Sequence, residues 1–359
     1  ARLSDSSFAV VFIGDMSSDS LEYNILTIQE AVSTLIEING VSISVSCEAG
    51  VVSYPNDTNE HDKLPALAVQ ALRQGAKSEQ NWARYDQQRS EDMRQRFKIA
   101  ADLQKAIEDD DLELYHQPQI DIKQGAVIGS EVLLRWRHPQ LGFISPAEFV
   151  AVAENTGLIN QLSHWVFKTS CQHMLKMRAK QLGNYRISVN FSAYDVMLDS
   201  FVSSLVEQLT KFELKADMFT LELTETVSVT DTKSLDKNLI ELKDLGFNIA
   251  IDDFGTGYSS LTYVSQHPFD ELKIDRDFVS DLSASAKHQS IVKATINMAS
   301  SLGLKVVAEG ISDTESFRLL SNYGWEIGQG YLFAKPLPLN EYLDWLDEYN
   351  INHLFDAAV

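Results

Sequence analysis

From residue 112 onward, short β-branched runs alternate with longer segments whose apolar residues recur at helical spacing. The short runs are typical of strands, and the longer segments are typical of amphipathic helices. Two helical segments, 145–157 and 161–181, lie between the second run and the third. The pattern predicts eight strands, near 113–121, 126–134, 186–192, 218–225, 247–253, 270–275, 304–309 and 326–333.

Eight strands that alternate with helices over about 240 residues are typical of a (β/α)₈ barrel. A doubly wound parallel sheet has the same rhythm, because both folds repeat the unit of strand and helix. The pattern favours an α/β, TIM-like barrel and keeps the doubly wound sheet as the alternative.

The first part of the chain has a different, α+β pattern. Residues 1–87 read as a strand at 8–14, a helix, a strand pair at 41–55 whose turn residues suggest a hairpin, and a second helix. Residues 88–107 are charged, with apolar residues at helical spacing, and predict a linking helix. The barrel is predicted at 108–348, followed by a C-terminal tail at 349–359.

Composition narrows the partners. The formal net charge is −21, which argues against a nucleic acid polymer, because such binding depends on many Lys and Arg contacts. A small anion held by metal ions is compatible with this charge. Cys47 and Cys171 have neither metal-site spacing nor the density of a disulfide scaffold, so this region is expected in a reducing, cytoplasmic compartment. No apolar run approaches the roughly 20 residues of a membrane helix. Membrane attachment of a longer parent protein is left open.

Polar side chains stand where seven of the predicted strands end. In a barrel the carboxyl ends of the strands converge on one mouth, where active sites of this fold are found. The side chains concerned are Glu131, Asn190, Glu222 and Glu225, Asp252 and Asp253, Lys273 and Asp275, Glu309, and Gln329.

Five of these carboxylates would repel one another at one mouth unless protons or cations neutralised them: Glu131, Glu222, Asp252, Asp253 and Glu309. The candidate ligands are oxygen donors, and neither Cys nor His recurs among them, which favours Mg²⁺ or Mn²⁺ over Zn²⁺. Two such ions could clamp a phosphate ester, the usual arrangement for phosphodiester hydrolysis. Taken alone, the stretch Asp-Asp-Phe-Gly-Thr-Gly at 252–257 is more typical of a solvated turn.

Arg135 has the same parity as Glu131 in the second strand. Four extended residues span roughly 13 Å, so Arg135 could contact a phosphate remote from the metal ions, which suits an elongated substrate. The histidines share no spacing and predict no catalytic role; they include His116, His164, His173 and His267.

Longer strings of the sequence also resemble a known family. From about 108 to 348 the chain resembles the EAL family of cyclic di-GMP phosphodiesterases, whose signature tripeptide reads Glu131-Val132-Leu133 here. Strings in the order of that family include YHQPQIDI, EVLLRWRHP, FVAVAENTGLI, VNFSA, LELTET, DDFGTGYSSL, LKIDRDFV, VVAEGI and QGYLFAKPLP.

The resemblance implies a modified barrel whose first strand is antiparallel to the others, and hydrolysis of cyclic di-GMP to linear pGpG with Mg²⁺ or Mn²⁺. It implies four ligands of a first metal ion, with Asp253 at a second ion or bridging both. Those four ligands are Glu131, Asn190, Glu222 and Asp252. Val132 replaces the family's alanine, but its side chain points away from Glu131 in a strand, so we expect little disturbance.

The resemblance also implies roles around the metal ions. Glu309 would be the other acid at the second ion or the general base, and Lys273 would orient the attacking water with support from Gln329. Glu225 would brace the loop 254–260. Contacts to the substrate would come from Arg135, Gln117, Asp275 and Pro336.

Residues 1–87 resemble the second half of a GGDEF diguanylate cyclase domain. Where that family has Arg-Leu-Gly-Gly-Asp-Glu-Phe, residues 2–8 read Arg-Leu-Ser-Asp-Ser-Ser-Phe, without the turn glycines and the paired acids. We expect no cyclase activity and a regulatory or structural role for this partial, degenerate region.

Three hypotheses follow for the barrel: an active phosphodiesterase, a catalytically silent cyclic di-GMP receptor that signals to a protein partner, or another metal-dependent barrel enzyme for small phosphorylated substrates. The resemblance further implies a homodimer formed through the barrel, with the loop after Asp253 near the contact. Upstream sensory domains are expected in a parent protein.

Overall fold

The computed structural model describes residues 1–14, 17–38, 41–76, 78, 80–180, 182–224, 232–255 and 261–349. The chain forms two compact units, Ala1–Lys98 and Ile99–Val359. None of the described helices combines the length and the apolarity that a transmembrane span requires.

The first unit is a small α+β arrangement. Strands β1 and β2 pair antiparallel, and β3 and β4 pair in parallel. Its elements are α1 (Ser18–Val32), β1 (Ile36–Ile38), β2 (Val41–Ile43), β3 (Ala49–Val51), α2 (Leu64–Gly75) and β4 (Trp82–Arg84), and α3 (Gln87–Glu108) continues into the second unit.

Two expectations for the first unit are wrong. The hairpin predicted at 41–55 does not form, because β2 pairs with β1 while β3 lies against α2 and pairs with β4. Gly50 permits this close approach, since a Cβ there would lie 2.2 Å from the backbone nitrogen of Leu72. Residues 8–14 form no strand; Phe8 makes only an isolated bridge to Arg2, and Ile13 is 97% exposed. An apolar run without a neighbouring strand cannot satisfy its backbone groups as a sheet.

The second unit has the predicted alternation of strands and helices. Helix α3 opens it, with Ile99 and Leu103 in the core. Its further elements are β5 (Leu112–Asp121), β6 (Ala126–His138), β7 (Gly142–Ile144), α4 (Pro146–Thr156), α5 (Ile159–Ala179), β8 (Arg186–Phe191), α6 (Ala193–Val196), α7 (Phe201–Phe212), β9 (Phe219–Thr224), α8 (Thr232–Asp244), β10 (Asn248–Phe254), α9 (Leu261–Gln266), β11 (Glu271–Ile274), α10 (Arg276–Val279), α11 (Ala286–Ser301), β12 (Lys305–Ala308), α12 (Thr314–Tyr323), β13 (Ile327–Gly328), β14 (Leu337–Pro338) and α13 (Leu339–Glu348).

Eight of these strands close into a barrel. The order around it is β5, β13, β12, β11, β10, β9, β8 and β6, and β6 pairs again with β5. Strand β5 is antiparallel to both of its neighbours, whereas every other neighbouring pair in the ring is parallel. The closure excludes the doubly wound sheet, and the barrel with an antiparallel first strand is confirmed.

Aromatic side chains join the helices to the outside of the barrel. Phe167 on α5 lies 5.0 Å from Phe219 and 6.3 Å from Phe247, measured between ring centroids, and all three are fully buried. Because alternate residues of a strand point to opposite faces, the apolar residues that meet the helices leave their neighbours to face the barrel interior. The polar strand ends are therefore directed to the inside.

Candidate metal centre

Four carboxylates from different strands surround one lysine at the mouth of the barrel. Lys273 on β11 is 1% exposed, and its Nζ lies 2.5 Å from Glu222 Oε2 and 2.6 Å from Glu309 Oε1. The same nitrogen lies 3.2 Å from Asp252 Oδ1 and 3.4 Å from Glu131 Oε2. The structure thus brings together five of the residues predicted from strand ends.

The parallel register brings these side chains to a common level. Asn190 on β8 is opposite Glu222 on β9, and Asp252 on β10 is opposite the last residue of β9. Glu309 directly follows β12, where its backbone N–H donates to Ile274 O at 3.1 Å. Strands that start at the base of the barrel and run in one direction deliver their last polar residues to the same end.

The donor set fits a hard divalent cation. Glu131, Glu222 and Asp252 each offer a carboxylate oxygen, and these three oxygens lie within 4.8 Å of one another. Asn190 donates from Nδ2 to Glu131 Oε1 at 2.7 Å, which leaves the amide oxygen of Asn190 to bind a cation. Glu222 Oε1 is buried and accepts no hydrogen bond from any described residue. A buried carboxylate oxygen without a donor is costly unless a cation or a proton meets it.

Electrostatics at the cluster show competition for one positive charge. Burial, and then the negative charges of its neighbours, raises the pKa of Glu222 well above its usual value despite Lys273. Burial likewise raises the pKa of Glu309 to about 8. Burial alone would raise the pKa of Glu131 too, but Lys273 and hydrogen bonds from Gln329 and Asn190 lower it. The surrounding carboxylates, Asp252 first, outweigh burial and raise the pKa of Lys273.

Asp253 and Asp275 lie beside the cluster. Asp253 has a left-handed backbone, with φ of 54°, which turns its side chain away from the regular strand direction. Burial, the charge of Asp252 and the nearby Asp275 raise the pKa of Asp253 to about 6. Asp275 also accepts a hydrogen bond from the backbone N–H of Asp277 at 2.7 Å and so caps α10.

Buried amides form a second group below the carboxylates. Gln329 Nε2 donates to Glu131 Oε2 at 2.5 Å and to Gln117 Oε1 at 3.3 Å. Gln119 and Ser188 join this group and were not predicted from the sequence. The available signal was parity, because they lie two residues from Gln117 and Asn190 on the same strands.

The remaining predicted substrate contacts lie on β5, on β6 and before β14. The guanidinium of Arg135 lies over the ring of Tyr115, 5.5 Å from its centroid, and donates to Leu134 O at 2.9 Å. Gln117 Nε2 donates to Ala334 O at 3.4 Å, and Pro336 follows two residues later, just before β14. Glu225 and residues 256–260 lie outside the described residues.

The four histidines named above have hydrogen-bond partners other than the carboxylates around Lys273. His116 and His173 share a hydrogen bond of 2.8 Å between Nε2 and Nδ1, and both have lowered pKa values because of burial. His164 pairs with Gln208 and His267 with Asp236.

Fold and site together define a closed barrel with one antiparallel strand and a buried, oxygen-rich acidic centre at its mouth. The chain belongs to the EAL domain family, whose model matches residues 100–336. It is similar to two proteins of Pseudomonas aeruginosa: cyclic di-GMP phosphodiesterase PA2567, with 37% identity over 89% of this chain and 55% of that one, and cyclic di-GMP phosphodiesterase NbdA, with 35% identity over 100% and 45%. The chain spans about half the length of these curated relatives.

Solved structures are similar to about two thirds of this chain. The PaMucR phosphodiesterase in complex with c-di-GMP matches with a TM-score of 0.65 and 37% identity, over 68% of this chain and 99% of that one. Bd1971, an EAL enzyme in its form bound to cAMP and cyclic di-GMP, matches with a TM-score of 0.66 and 32% identity, over 70% and 69%.

Proposed function

We propose that this chain hydrolyses one phosphodiester bond of cyclic di-GMP and releases linear pGpG. The observation that carries the proposal is the group of three ligand oxygens on Glu131, Glu222 and Asp252, all within 4.8 Å of one another. The names of similar proteins, cyclic di-GMP phosphodiesterases PA2567 and NbdA, support the choice of substrate.

Two Mg²⁺ or Mn²⁺ ions are proposed as cofactors. The first would be held by Glu131, Asn190, Glu222 and Asp252, and the second by Asp253, which either binds that ion alone or bridges both. When bound, such ions stabilise the charge that develops on a phosphate ester and lower the pKa of a water molecule. The crowding of acids supports two cations, because one lysine offsets only part of their charge.

Lys273 and Glu309 would act on the attacking water molecule. Lys273 would orient the attacking water, and its ammonium is kept charged by the surrounding carboxylates. Glu309, 2.6 Å from that ammonium, would act as general base or as a ligand of the second ion. The two assignments differ in one measurement: Glu309→Gln lowers kcat with unchanged Mn²⁺ stoichiometry if Glu309 is the base, and removes one bound ion if it is a ligand.

Substrate contacts are proposed above the metal centre. Arg135, held over Tyr115, would bind the phosphate that is not cleaved, because a planar guanidinium pairs well with phosphate oxygens. Gln117, Asp275 and Pro336 would line the remaining surface. Gln329 would support the centre through Glu131, and Glu225, outside the described residues, would brace the loop 254–260.

The proposal is tested by incubating the purified protein with cyclic di-GMP and Mn²⁺ and separating the products by anion-exchange chromatography. Appearance of pGpG is expected, together with its loss in Glu222→Gln. Glu271→Gln is a matched control. Glu271 is also buried, but it lies at the start of β11, away from the cluster, and its Oε1 is 3.1 Å from a guanidinium nitrogen of Arg186. A folded, Mn²⁺-binding protein that binds cyclic di-GMP without forming pGpG would instead be a silent receptor. Competition for the site by a sugar phosphate, and none by cyclic di-GMP, would instead indicate another metal-dependent barrel enzyme for small phosphorylated substrates.

For residues 1–87 we propose a partial, degenerate GGDEF region with a regulatory or structural role. The stretch that replaces the family signature is an exposed local turn, in which Arg2 pairs with Asp5 at 3.1 Å. Incubation with GTP and Mg²⁺ should give no cyclic di-GMP; its formation would contradict this assignment.

We also propose a homodimer formed through the barrel, with the loop after Asp253 near the contact. Light scattering coupled to gel filtration, run in parallel with activity measurements across protein concentration, tests this. Specific activity should rise with the dimer fraction, and full activity of a monomer at every concentration would refute it.

A further inference from the structure

A chain of buried amides runs beneath the carboxylate cluster. Gln119 on β5 donates from Nε2 to Gln329 Oε1 at 3.2 Å, and its own Oε1 accepts from Ser188 Oγ at 3.4 Å. At the other end of the chain, Gln329 Nε2 donates to Glu131 Oε2 at 2.5 Å and to Gln117 Oε1 at 3.3 Å. The hydroxyl of Ser188 is thus linked to a proposed metal ligand through two side-chain amides.

We propose that Gln119 is a positioning residue for the metal centre: it fixes the orientation of the Gln329 amide and thereby holds Glu131 ready for a divalent cation. The inference rests on the proposed function for the role of Glu131 as a ligand. Gln119 is opposite Gly129 on β6, whereas Gln117 is opposite Glu131. Gln119 therefore lies one layer deeper than the site, is 5% exposed, and is out of reach of a substrate at the mouth.

The two ends of a carboxamide differ in their hydrogen bonding. Its oxygen accepts hydrogen bonds and its nitrogen donates them, and the two orientations have nearly the same shape. The hydrogen bond that Gln119 donates engages the oxygen of Gln329 and leaves the nitrogen of Gln329 to face Glu131. In the opposite orientation two acceptor oxygens would face each other in a buried position, which is unfavourable.

Glu131 is then held at both oxygens. Oε1 accepts from Asn190 at 2.7 Å and Oε2 accepts from Gln329, so the plane of the carboxylate is fixed before any cation arrives. Outer hydrogen bonds of this kind orient metal ligands, and their loss costs about 10- to 100-fold in metal affinity.

The composition of these inward-facing positions supports a role beyond filling space. Inward-facing positions in such barrels are mostly bulky branched residues, yet Gln117, Gln119, Ser188 and Gln329 are all buried here. Gly129 faces Gln119 across the strand pair, and a Cβ there would lie 2.5 Å from Arg186 O and 3.4 Å from Gln119 Oε1. Strand β6 thus has no side chain at the position next to the Gln119 amide.

A double-mutant cycle on the whole chain tests the inference. Gln119→Met, Gln329→Met and the double variant are stripped of metal, and Mn²⁺ affinity is measured by titration calorimetry. Gln119→Met and Gln329→Met should each weaken Mn²⁺ binding about tenfold. The double variant should bind no more weakly than Gln329→Met, because Gln119 acts only through Gln329. Gln208→Met, at a buried glutamine on α7, should keep the affinity of the unmodified chain and controls for the loss of a buried amide.

The outcomes separate the two levels of the proposal. Unchanged Mn²⁺ affinity in Gln119→Met, or losses that add in the double variant, overturns the role of Gln119 while leaving the proposed function intact. An unmodified chain that binds no Mn²⁺ overturns the proposed function and this inference together. Thermal melts of all four variants identify any unfolding, and a loss of affinity shared by Gln208→Met would show that it is merely structural.

Discussion

Lys273 Nζ lies 2.5 Å from Glu222 Oε2, and each of these side chains is 1% exposed. The pair is buried on neighbouring levels of the barrel, and Glu222 has a further oxygen that accepts no hydrogen bond from the described residues. A single ammonium therefore serves several acids that compete for it.

Replacing Lys273 should destabilise the metal-free protein and make its stability depend more on divalent cations. Lys273→Met leaves buried carboxylates without their ammonium, which costs about 3–5 kcal/mol. Binding of Mn²⁺ compensates by mass action, so 1 mM Mn²⁺ should raise the melting temperature of Lys273→Met more than that of the unmodified chain. Differential scanning fluorimetry with EDTA and with Mn²⁺ measures this. Lys243→Met, which removes a half-exposed partner of Asp270, is the control and should show no such cation dependence.

The ring of strands was predictable because its strands are short apolar runs with polar ends. Strand β13 is shorter than expected, Ile327–Gly328 within the predicted 326–333, because the chain leaves the sheet after Gly328 and turns back toward Ile311. The first unit was less predictable, since its apolar run at 8–14 carries the signature of a strand without gaining a partner. Periodicity shows that a segment can form a strand. Whether it does so depends on a neighbouring strand with which it can pair.

Site residues could be predicted from polar positions on the strands only where those strands run toward the mouth of the barrel. Asp252 follows the apolar run of β10, whereas Glu222 lies two residues before the end of β9 and Glu131 lies in the middle of β6, and the structure joins all three. Gln119 lies on the antiparallel β5, whose carboxyl end points to the base of the barrel, so the rule about strand ends does not apply to it. The central place of Lys273 among four acids depends on how the strands are staggered around the ring, which sequence spacing does not contain.

Asp195 should give the protein a stability that decreases as pH rises. This carboxyl is buried on α6, accepts from Ser163 Oγ at 2.7 Å and from the backbone N–H of Ser192 at 3.2 Å, and burial raises its pKa from 3.8 to about 6. Between these values the folded state holds a proton that the unfolded state has lost, so stability is highest below pH 4 for this group and decreases up to about pH 6. This pKa difference between the folded and the unfolded state corresponds to about 3 kcal/mol of folding stability.

Urea unfolding at pH 5 and pH 7 in EDTA measures that dependence. Asp195→Asn keeps acceptor and size but does not titrate, so the decrease from pH 5 to pH 7 should be smaller by about 1–2 kcal/mol than in the unmodified chain, a part of the full linkage. Identical pH dependence in both proteins would contradict the assignment.

Gly310 should be intolerant of a side chain for two reasons that a matched glycine separates. Its φ is +71°, and a Cβ would lie 2.4 Å from the Cβ of Arg276 on α10. Gly303 has φ of +74° but open space around it. We expect Gly303→Ala to cost about 1 kcal/mol, from backbone conformation alone, and Gly310→Ala to cost about 2–4 kcal/mol because overpacking is added.

Gly310→Ala should also lower activity, since Gly310 follows Glu309 and a shift of that backbone moves the carboxylate away from Lys273. Chemical denaturation gives the stability difference, and pGpG formation by the folded fraction gives the activity. Equal stability losses at Gly303 and Gly310 would show that contact with Arg276 is relieved at no cost.

Tyr115 should tune substrate affinity through Arg135. The guanidinium lies 5.5 Å from the ring centroid, within the range in which a cation is attracted by an aromatic face, an effect of about 0.5–1 kcal/mol at partly exposed sites. Tyr115→Leu removes the ring, so Arg135 loses its support and the KM for cyclic di-GMP should rise about three- to fivefold with little change in kcat. Tyr115→Phe keeps the aromatic face and should stay within twofold of the unmodified chain. Steady-state kinetics with Mn²⁺ distinguish the two variants; an equal rise of KM in both would assign the effect to the hydroxyl, and a fall in kcat for Tyr115→Leu would mean that the ring acts on the metal centre.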